Sequence, residues 1–337
     1  MKLGTLALKS VLISAVAALS STAIADTKVG MITTLSGGGA GLGIDVRDGF
    51  MLAIKQSERS DIEVVIDNMH TGKKENIPNN EKVQFYNMDI RNYELLEKYI
   101  HNVDGIFHEA GLTLVPESFE KPEEYYDVNV NGTENIFKIS KKFKIKIVYA
   151  SSSSVYGDTK TIPINENHDK NPINPYGKTK VEKDNLATKF SNEKCSIIGL
   201  RYFNVFGKGQ TGTYAGVITK FLDCLKNKTS PIIYGDGNQI RDFISVEDIA
   251  TANLQAMLSN TTNGFFNIGT GIPTTILELA KLMIKISNID LQPVFEKPRI
   301  GDVKLSQADM SNTEKHLKWK AGIKLEDGLK ELIKENF

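Results

Sequence analysis

The sequence predicts an α/β fold in which a doubly wound parallel sheet carries a smaller C-terminal lobe. From Lys28 onward, short apolar runs rich in Val and Ile alternate with longer segments of helical period, the pattern of a parallel sheet covered by crossover helices. These segments follow one another in the order βαβαβ, repeated. After about residue 205 the spacing loosens and turn signals crowd in at 207–212 and 235–238. The smaller lobe is expected there, on the carboxyl ends of the strands.

The first 25 residues stand apart. Lys2 and Lys9 bracket the approach to an apolar run from Val11 to Leu19, followed by Ser20, Ser21 and an A-x-A pattern at Ala23 to Ala25; this reads as a cleavable secretory signal. The run is shorter than the about 20 apolar residues of a spanning helix, so no membrane span is expected. Candidate strands then fall at 29–33, 62–66, 83–87, 105–107, 145–150 and 196–200, with helices at 45–56, 93–101, 127–143 and 176–190. The main domain is expected over 26–204 and the smaller lobe over 205–337.

With 40% hydrophobic and 24% charged residues among 337, the chain has apolar material for a large core without staples. Lys and Arg number 41, as do Asp and Glu. That balance excludes broad attraction to nucleic acid or an anionic membrane. Cys195 and Cys224 lack CxxC spacing and are too few for a disulfide framework or a zinc cluster. They read as small buried hydrophobes, and no metal is expected.

The strongest constellation is the run Ser151-Ser152-Ser153-Ser154-Val155-Tyr156-Gly157 after the strand at 145–150, followed by Asn174-Pro175-Tyr176-Gly177-Lys178-Thr179-Lys180 opening a helix. Asn174 suits the cap and Pro175 the first helical position. Tyr176 and Lys180 then share a helix face, where an ammonium favours the ionised phenol. A hydroxyl from Ser152 or Ser153 would bond the same substrate oxygen, which completes an acid/base site for oxidising an alcohol.

This pairing resembles the catalytic segment of the extended short-chain dehydrogenases/reductases, in the NAD-dependent epimerase/dehydratase branch, and is most similar to the UDP-glucose 4-epimerase group. The resemblance covers roughly residues 60–337 and implies a Rossmann-type sheet. It implies that Asp67, beside Asn68, ends the second strand as the acid that binds the adenine ribose, favouring NAD over NADP. By the same resemblance Asp89 and Ile90 approach the adenine, and Ala110, Gly111 and Leu112 of the run 108–112 form the loop over the cofactor. Asn129, in the run 129–133, belongs to the supporting helix. Phe203 is implied near the nicotinamide, and Asn204, Arg241 and Arg299 on the diphosphate of a UDP-sugar, since two arginine forks suit a diphosphate. A homodimer through the helices at 127–143 and 176–190 is also implied.

Epimerisation at C4 through a transient ketone needs only a hydride partner and the Tyr176 base. The related 4,6-dehydratases and decarboxylases carry an acid just before the VYG-like segment, where this chain has Ser153 and Ser154; the serines favour an epimerase, with those relatives as alternatives. Ser306 falls where side-chain size is thought to gate N-acetylated sugars. Being small, it leaves glucose/galactose and N-acetyl forms both open.

The N-terminus departs from the pattern. The family's first strand should lead into TGGxGxxG, whose glycines let backbone amides meet a pyrophosphate. Here Gly38 and Gly41 have the right separation, but Ile44 stands at the third glycine position, and Gly38 lies farther from Asp67 than is customary. Residues 1–57 more closely resemble the start of a type I periplasmic solute-binding protein of ABC transporters, with a junction near Ser57. Both families open with a strand, a glycine-bearing loop and a helix, so the hybrid is expected to fold as a Rossmann domain with weakened NAD affinity. The competing readings are a secreted solute-binding protein, which would need later segments this chain lacks, and a folded but inactive UDP-sugar binder. The signal implies export to the periplasm, and the family resemblance implies the cytoplasm.

Overall fold

A computed structural model describes residues 29–32, 63–70, 77, 79, 81–208, 210, 216–299 and 302–337. The signal, the glycine segment with Gly38 and Gly41, and the helix expected at 45–56 lie outside the described residues. The large sheet contains the strands Val29–Ile32 (β1), Glu63–Asp67 (β2), Val83–Asn87 (β3), Gly105–His108 (β4), Lys146–Ser152 (β5) and Ile197–Tyr202 (β6), and between β3 and β6 lie the helices Tyr93–Ile100 (α1), Val115–Glu120 (α2), Pro122–Tyr126 (α3), Gly132–Phe143 (α4) and Pro175–Asn192 (α5). The C-terminal part adds Asn204–Phe206 (β7), Val217–Lys226 (α6), Ile232–Tyr234 (β8), Ile240–Ser245 (β9), Val246–Leu258 (α7), Asn263–Ile268 (β10), Pro273–Thr275 (β11), Ile276–Ser287 (α8), Val294–Glu296 (β12), Ser311–Leu317 (α9) and Leu325–Asn336 (α10).

One seven-stranded sheet runs in the order β3-β2-β1-β4-β5-β6-β10, every neighbouring pair parallel. The winding reverses at β1, which pairs with β2 on one side and β4 on the other. In open parallel sheets the crevice outside the carboxyl ends at such a switch point is where ligands bind. Thus the strand from the departing N-terminal segment takes the central position.

Successive side chains of a strand face opposite ways, and β5 shows what that does here. Ile147 and Tyr149 pack with Ile136 and Phe137 of α4 and Phe190 of α5. Val148 and Ala150 pack on the other face with Ile249 and Ala252 of α7. The two cores clamp the sheet and hold its carboxyl edge rigid.

The smaller lobe holds a three-stranded sheet, β11-β9-β7, and the pair β12-β8, around Phe221, Leu225, Leu279, Met283 and Leu329. A single boundary at 204 does not describe the path. β7 follows β6 after one residue, and the chain then returns to the large sheet with α7 and β10. Without β10, β6 would be an edge with unpaired backbone groups. The segment expected as one helix at 127–143 opens with a π-helical turn, Asp127–Asn131, before α4. Among the described residues no helix is long and apolar enough to cross a membrane, and no His/Cys/Asp/Glu group suits a metal. Cys195 is buried and Cys224 half-buried.

Candidate active site

Asn174 caps α5, its Oδ1 accepting the Gly177 amide at 2.7 Å, with Pro175 in the first turn. The cap sets Tyr176 at the helix entrance, half-buried. One turn on, Lys180 is 4% exposed. Its Nζ lies 5.5 Å from the centroid of the Tyr176 ring and donates to the Ala150 carbonyl at 2.9 Å. The ammonium is therefore anchored near the carboxyl end of β5 and held beside the phenol.

β5 runs into a 3₁₀ turn at Ser153–Val155. Ser151 turns inward and donates to Asp184 at 2.8 Å, whereas Ser152 and Ser153 are half-buried. The Ser152 Oγ accepts the Ser154 amide at 3.2 Å, and a hydroxyl used this way still has its own proton to donate. Gly177 sits so close to the serine turn that a Cβ there would lie 2.9 Å from the Ser154 carbonyl oxygen. The first turn of α5 and the serine turn are thereby pressed together, which brings Ser152, Ser153, Tyr176 and Lys180 into one place.

At the carboxyl ends of β2 and β3, Asp67 closes β2, 5% exposed, its Oδ1 accepting the Met69 amide at 2.5 Å. Asn68 donates to Asp89 Oδ2 at 3.2 Å across the ends of β2 and β3. Asp89 also accepts from Arg91 Nε at 2.9 Å and Nη2 at 2.7 Å; these bonds hold its carboxyl down at about 2, against the opposing effect of burial. Ile90 points inward, so near Gly132 that a Cβ on that glycine would meet Ile90 Cδ1 at 2.6 Å.

Asn129, fully buried, clamps the loop after β4. Its Oδ1 accepts the Leu112 amide at 2.7 Å, and its Nδ2 donates to the Leu112 carbonyl at 2.9 Å and to Thr179 Oγ1 at 3.1 Å. A Cβ on Gly111 would lie 2.8 Å from Asn129 Oδ1, so the loop 110–112 needs that glycine. The Ile90 side chain thus packs on the start of α4 and the Asn129 side chain supports the loop after β4 from behind, with Ala110 and Leu112 half-buried in that loop.

At the junction with the smaller lobe, Phe203 is buried and its amide donates to the Ile268 carbonyl at 3.0 Å, while Asn204 is half-buried at the start of β7. Arg241 pairs with Asp302 at 2.6 Å and donates to the Ile240 carbonyl at 2.8 Å. The Arg299 guanidinium stacks 3.6 Å from the Tyr234 ring centroid. Ser306 is 7% exposed, and its amide donates to the Ile240 carbonyl at 3.1 Å, next to Arg241.

Two buried charge groups behind the site escape sequence reasoning. Arg201 and Asp184, 1% and 0% exposed, pair at 2.8 Å; Tyr149 and Ser151 donate to the other Asp184 oxygen at 2.7 and 2.8 Å. Glu109, 7% exposed, has its carboxyl pushed up to about 7 by burial, against the opposing pull of Tyr202 and of Lys180 and Lys183. Tyr202 donates to both Glu109 oxygens, at 3.0 and 3.3 Å, and receives a 2.7 Å bond from Asn253. Lys183, 1% exposed, is held well below the usual lysine range by burial and by Lys180. Its Nζ lies 3.4 Å from Nε2 of the buried His108. Lys183 follows Lys180 by three positions on one helix face, a spacing that would have singled it out.

A family model, the NAD dependent epimerase/dehydratase family, matches residues 53–269. A Methanocaldococcus jannaschii protein whose name, given provisionally, is UDP-glucose 4-epimerase is 40% identical over 277 residues, 80% of this chain and 88% of that protein. The structure of UDP-N-acetylglucosamine 4-epimerase from Methanobrevibacter ruminantium, in complex with UDP-N-acetylmuramic acid, superposes with a TM-score of 0.84 at 32% identity, covering 92% of this chain and 98% of that one. Thermotoga maritima UDP-glucose 4-epimerase with UDP-glucose gives 0.83 at 31% identity, over 91% and 98%.

Proposed function

The chain belongs to the NAD dependent epimerase/dehydratase family, and from that membership and the geometry around Tyr176 we infer that it interconverts UDP-sugars differing in configuration at C4, with NAD as cofactor. The observation that carries this reading is the Lys180 ammonium fixed beside the Tyr176 ring, against a serine turn at the carboxyl edge of the sheet.

The residues fit a dinucleotide. Asp67, an acid at the carboxyl end of β2 beside the switch point, suits ribose hydroxyls, and Asn68 and Asp89 lie together at the adenine end. The backbone of Ala110, Gly111 and Leu112, held by Asn129, would line the middle. When bound, NAD supplies a reversible hydride acceptor for the sugar's C4. The chain's own residues handle the proton: Tyr176, as phenolate, takes it from the C4 hydroxyl and later returns it. The Lys180 ammonium lies beside the ring, and the Ser152 hydroxyl is a donor for the same oxygen. Asn204, Arg241 and Arg299 would hold the diphosphate.

The turn at 153–154 offers hydroxyls where an eliminating enzyme would need an acid, which supports epimerisation over dehydration or decarboxylation. The similar structures carry UDP-N-acetylmuramic acid and UDP-glucose, and the small Ser306 is compatible with plain and N-acetylated sugars. The test is incubation of the purified chain with NAD and UDP-glucose or UDP-N-acetylglucosamine, with products separated by chromatography. Conversion of either supports the reading; conversion of neither, with tight UDP binding and weak NAD binding, selects the inactive binder that Ile44 favours.

A homodimer is part of the proposal. Phe119 and Tyr126, 59% and 48% exposed on α2 and α3, sit beside the helices expected to pair, and light scattering at twice the chain mass would support it. The mature N-terminus, read by mass spectrometry, decides between a cleaved exported form and the cytoplasmic form.

A further inference from the structure

Ser306 lies on an extended run, 304–309, wedged between β9 and the stretch 158–164 that leaves the serine turn; Leu305 bridges Ile240, and Ala308 bridges Ile164. Successive residues of an extended chain face opposite ways, and here both sides are occupied. Toward β9, the Lys304 carbonyl accepts the Ile240 amide at 2.9 Å and the Ser306 amide donates to the Ile240 carbonyl at 3.1 Å. Toward the stretch from the serine turn, the Gln307 carbonyl accepts the Ile164 amide at 2.7 Å and the Asp309 amide donates to the Ile164 carbonyl at 2.8 Å. Where these segments meet lies Asp242, 0% exposed. Its Oδ1 accepts the Thr270 amide at 2.8 Å and the Thr270 hydroxyl at 2.7 Å; its Oδ2 accepts the Gly271 amide at 2.9 Å and the Ala308 amide at 3.1 Å. Each oxygen takes two donors, which fills the carboxylate. A Cβ on Gly269 would lie 2.7 Å from Asp242 Oδ2 and 2.9 Å from Ala308 Cβ, so β9, the loop after β10 and the run 304–309 converge there in close contact.

We propose that Asp242 is a positioning residue for the sugar: by gripping the Ala308 amide it holds Ser306 in register with the chain that leaves the serine turn, and so fixes how the sugar's C4 meets Tyr176. This rests on the reading of Tyr176 as the base and of Ser306 as part of the sugar wall. Asp242 acts through the run 304–309 and touches no substrate, since it is enclosed and its acceptor positions are taken. The neighbouring Arg241 guanidinium is held separately, by the Ile240 carbonyl at 2.8 Å and by Asp302 at 2.6 Å. Loss of the Asp242 grip therefore releases the sugar wall and leaves the diphosphate's partner in place. Reaction rates depend steeply on such placement, a shift of about 1 Å costing about 10²-fold.

The test compares the full chain with NAD in wild type, Asp242→Asn and Thr270→Val, measuring kcat for UDP-glucose or UDP-N-acetylglucosamine and the affinity and stoichiometry of UDP by calorimetry. Asp242→Asn turns an NH2 group toward amide donors, so one side of the carboxylate's grip is lost. Its kcat per UDP-binding site is expected to fall about tenfold or more, with the UDP dissociation constant within about threefold of wild type. Counting per binding site removes any loss that comes only from misfolded protein. Thr270→Val deletes one donor to Oδ1 and keeps the Ala308 bond, and its kcat is expected within about threefold of wild type. UDP affinity falling in step with kcat, an unchanged kcat per site in Asp242→Asn, or a Thr270→Val as poor as Asp242→Asn, overturns the proposal.

A second measurement needs no substrate. Amide hydrogen exchange in the ligand-free chain is expected to run about tenfold or more faster at Ser306 and Ala308 in Asp242→Asn, with Val148 of β5 unchanged; unchanged exchange at Ser306 overturns the proposal. If the wild type converts no UDP-sugar, the functional reading fails while this exchange still decides whether Asp242 holds Ser306 in place. Should Asp242→Asn not fold, Gly269→Ala replaces it, because the added methyl presses on Ala308 and Asp242 at their contact. The same loss of kcat per UDP-binding site is then expected at unchanged UDP affinity, and a wild-type kcat in Gly269→Ala overturns the proposal.

Discussion

Lys180 holds its Nζ 5.5 Å from the centre of the Tyr176 ring while bonding the Ala150 carbonyl at 2.9 Å. The cation is thus tied to the sheet, and it stays beside the phenol whatever occupies the cleft. Substituting Tyr176→Phe removes the proton acceptor and leaves the packing. The expected outcome is a fall in kcat of about 10²–10⁴-fold, the span of a positioned acid/base, with UDP affinity by calorimetry within twofold and an unchanged melting temperature. Retention of more than a tenth of the activity would remove Tyr176 from the chemistry.

Asn129 ties three elements, since one amide satisfies both backbone groups of Leu112 and the Thr179 hydroxyl. Asn129→Ala leaves buried groups without partners, at about 1–3 kcal/mol each, and frees the loop 110–112. The chain is expected to melt several degrees lower, and its NAD dissociation constant to rise about tenfold, which is about 1.4 kcal/mol. A normal NAD titration on a destabilised protein would confine Asn129 to folding.

What the sequence made legible was local. The Asn174 cap, Pro175 and the four-residue step from Tyr176 to Lys180 are all set by neighbours in the chain, and the structure places them as expected. Strands β4, β5 and β6 were legible because burial on both faces makes them apolar. The clamp by Asn129 was not, because its partners lie 17 and 50 positions away. Nor was the burial of Glu109 and Lys183: a charged residue reads as surface until packing encloses it. The return of β10 to the large sheet was also hidden, because Asn263 to Ile268 reads like any other strand and only the exposed edge of β6 calls for it.

The Arg201–Asp184 pair joins β6 to α5 beneath the site, both side chains within 1% of complete burial. Breaking it from one side strands a charge. Arg201→Met is expected to cost about 3–5 kcal/mol in urea denaturation, whereas combining it with Asp184→Asn returns at least half of that, because the stranded carboxylate is gone. A double variant as unstable as the single would show that packing of the Arg201 guanidinium between the Tyr156 and Phe265 rings dominates over its pairing with Asp184.

Glu109 also leaves a signature in stability against pH. Burial raises its carboxyl from 4.5 to about 7, so between those values the folded chain holds a proton that the unfolded chain has released. The stability it contributes is fully present below about pH 4.5 and is lost as pH rises through about 7, a change on the order of 3 kcal/mol by linkage. His108 acts in the opposite sense: burial holds it well below 6.5, so its contribution is present above that value and is lost as pH falls. Asp89, lowered to about 2, keeps its contribution above 3.8 and does not enter this window. A single melting curve therefore mixes Glu109 with His108, and the informative quantity is the difference between wild type and Glu109→Gln. Glu109→Gln is expected to gain on the wild type steadily from pH 4.5 to 7 and then run parallel to it. A difference that stays constant over that range would mean that Glu109 is ionised throughout, with the lysines holding its charge more strongly than burial opposes it.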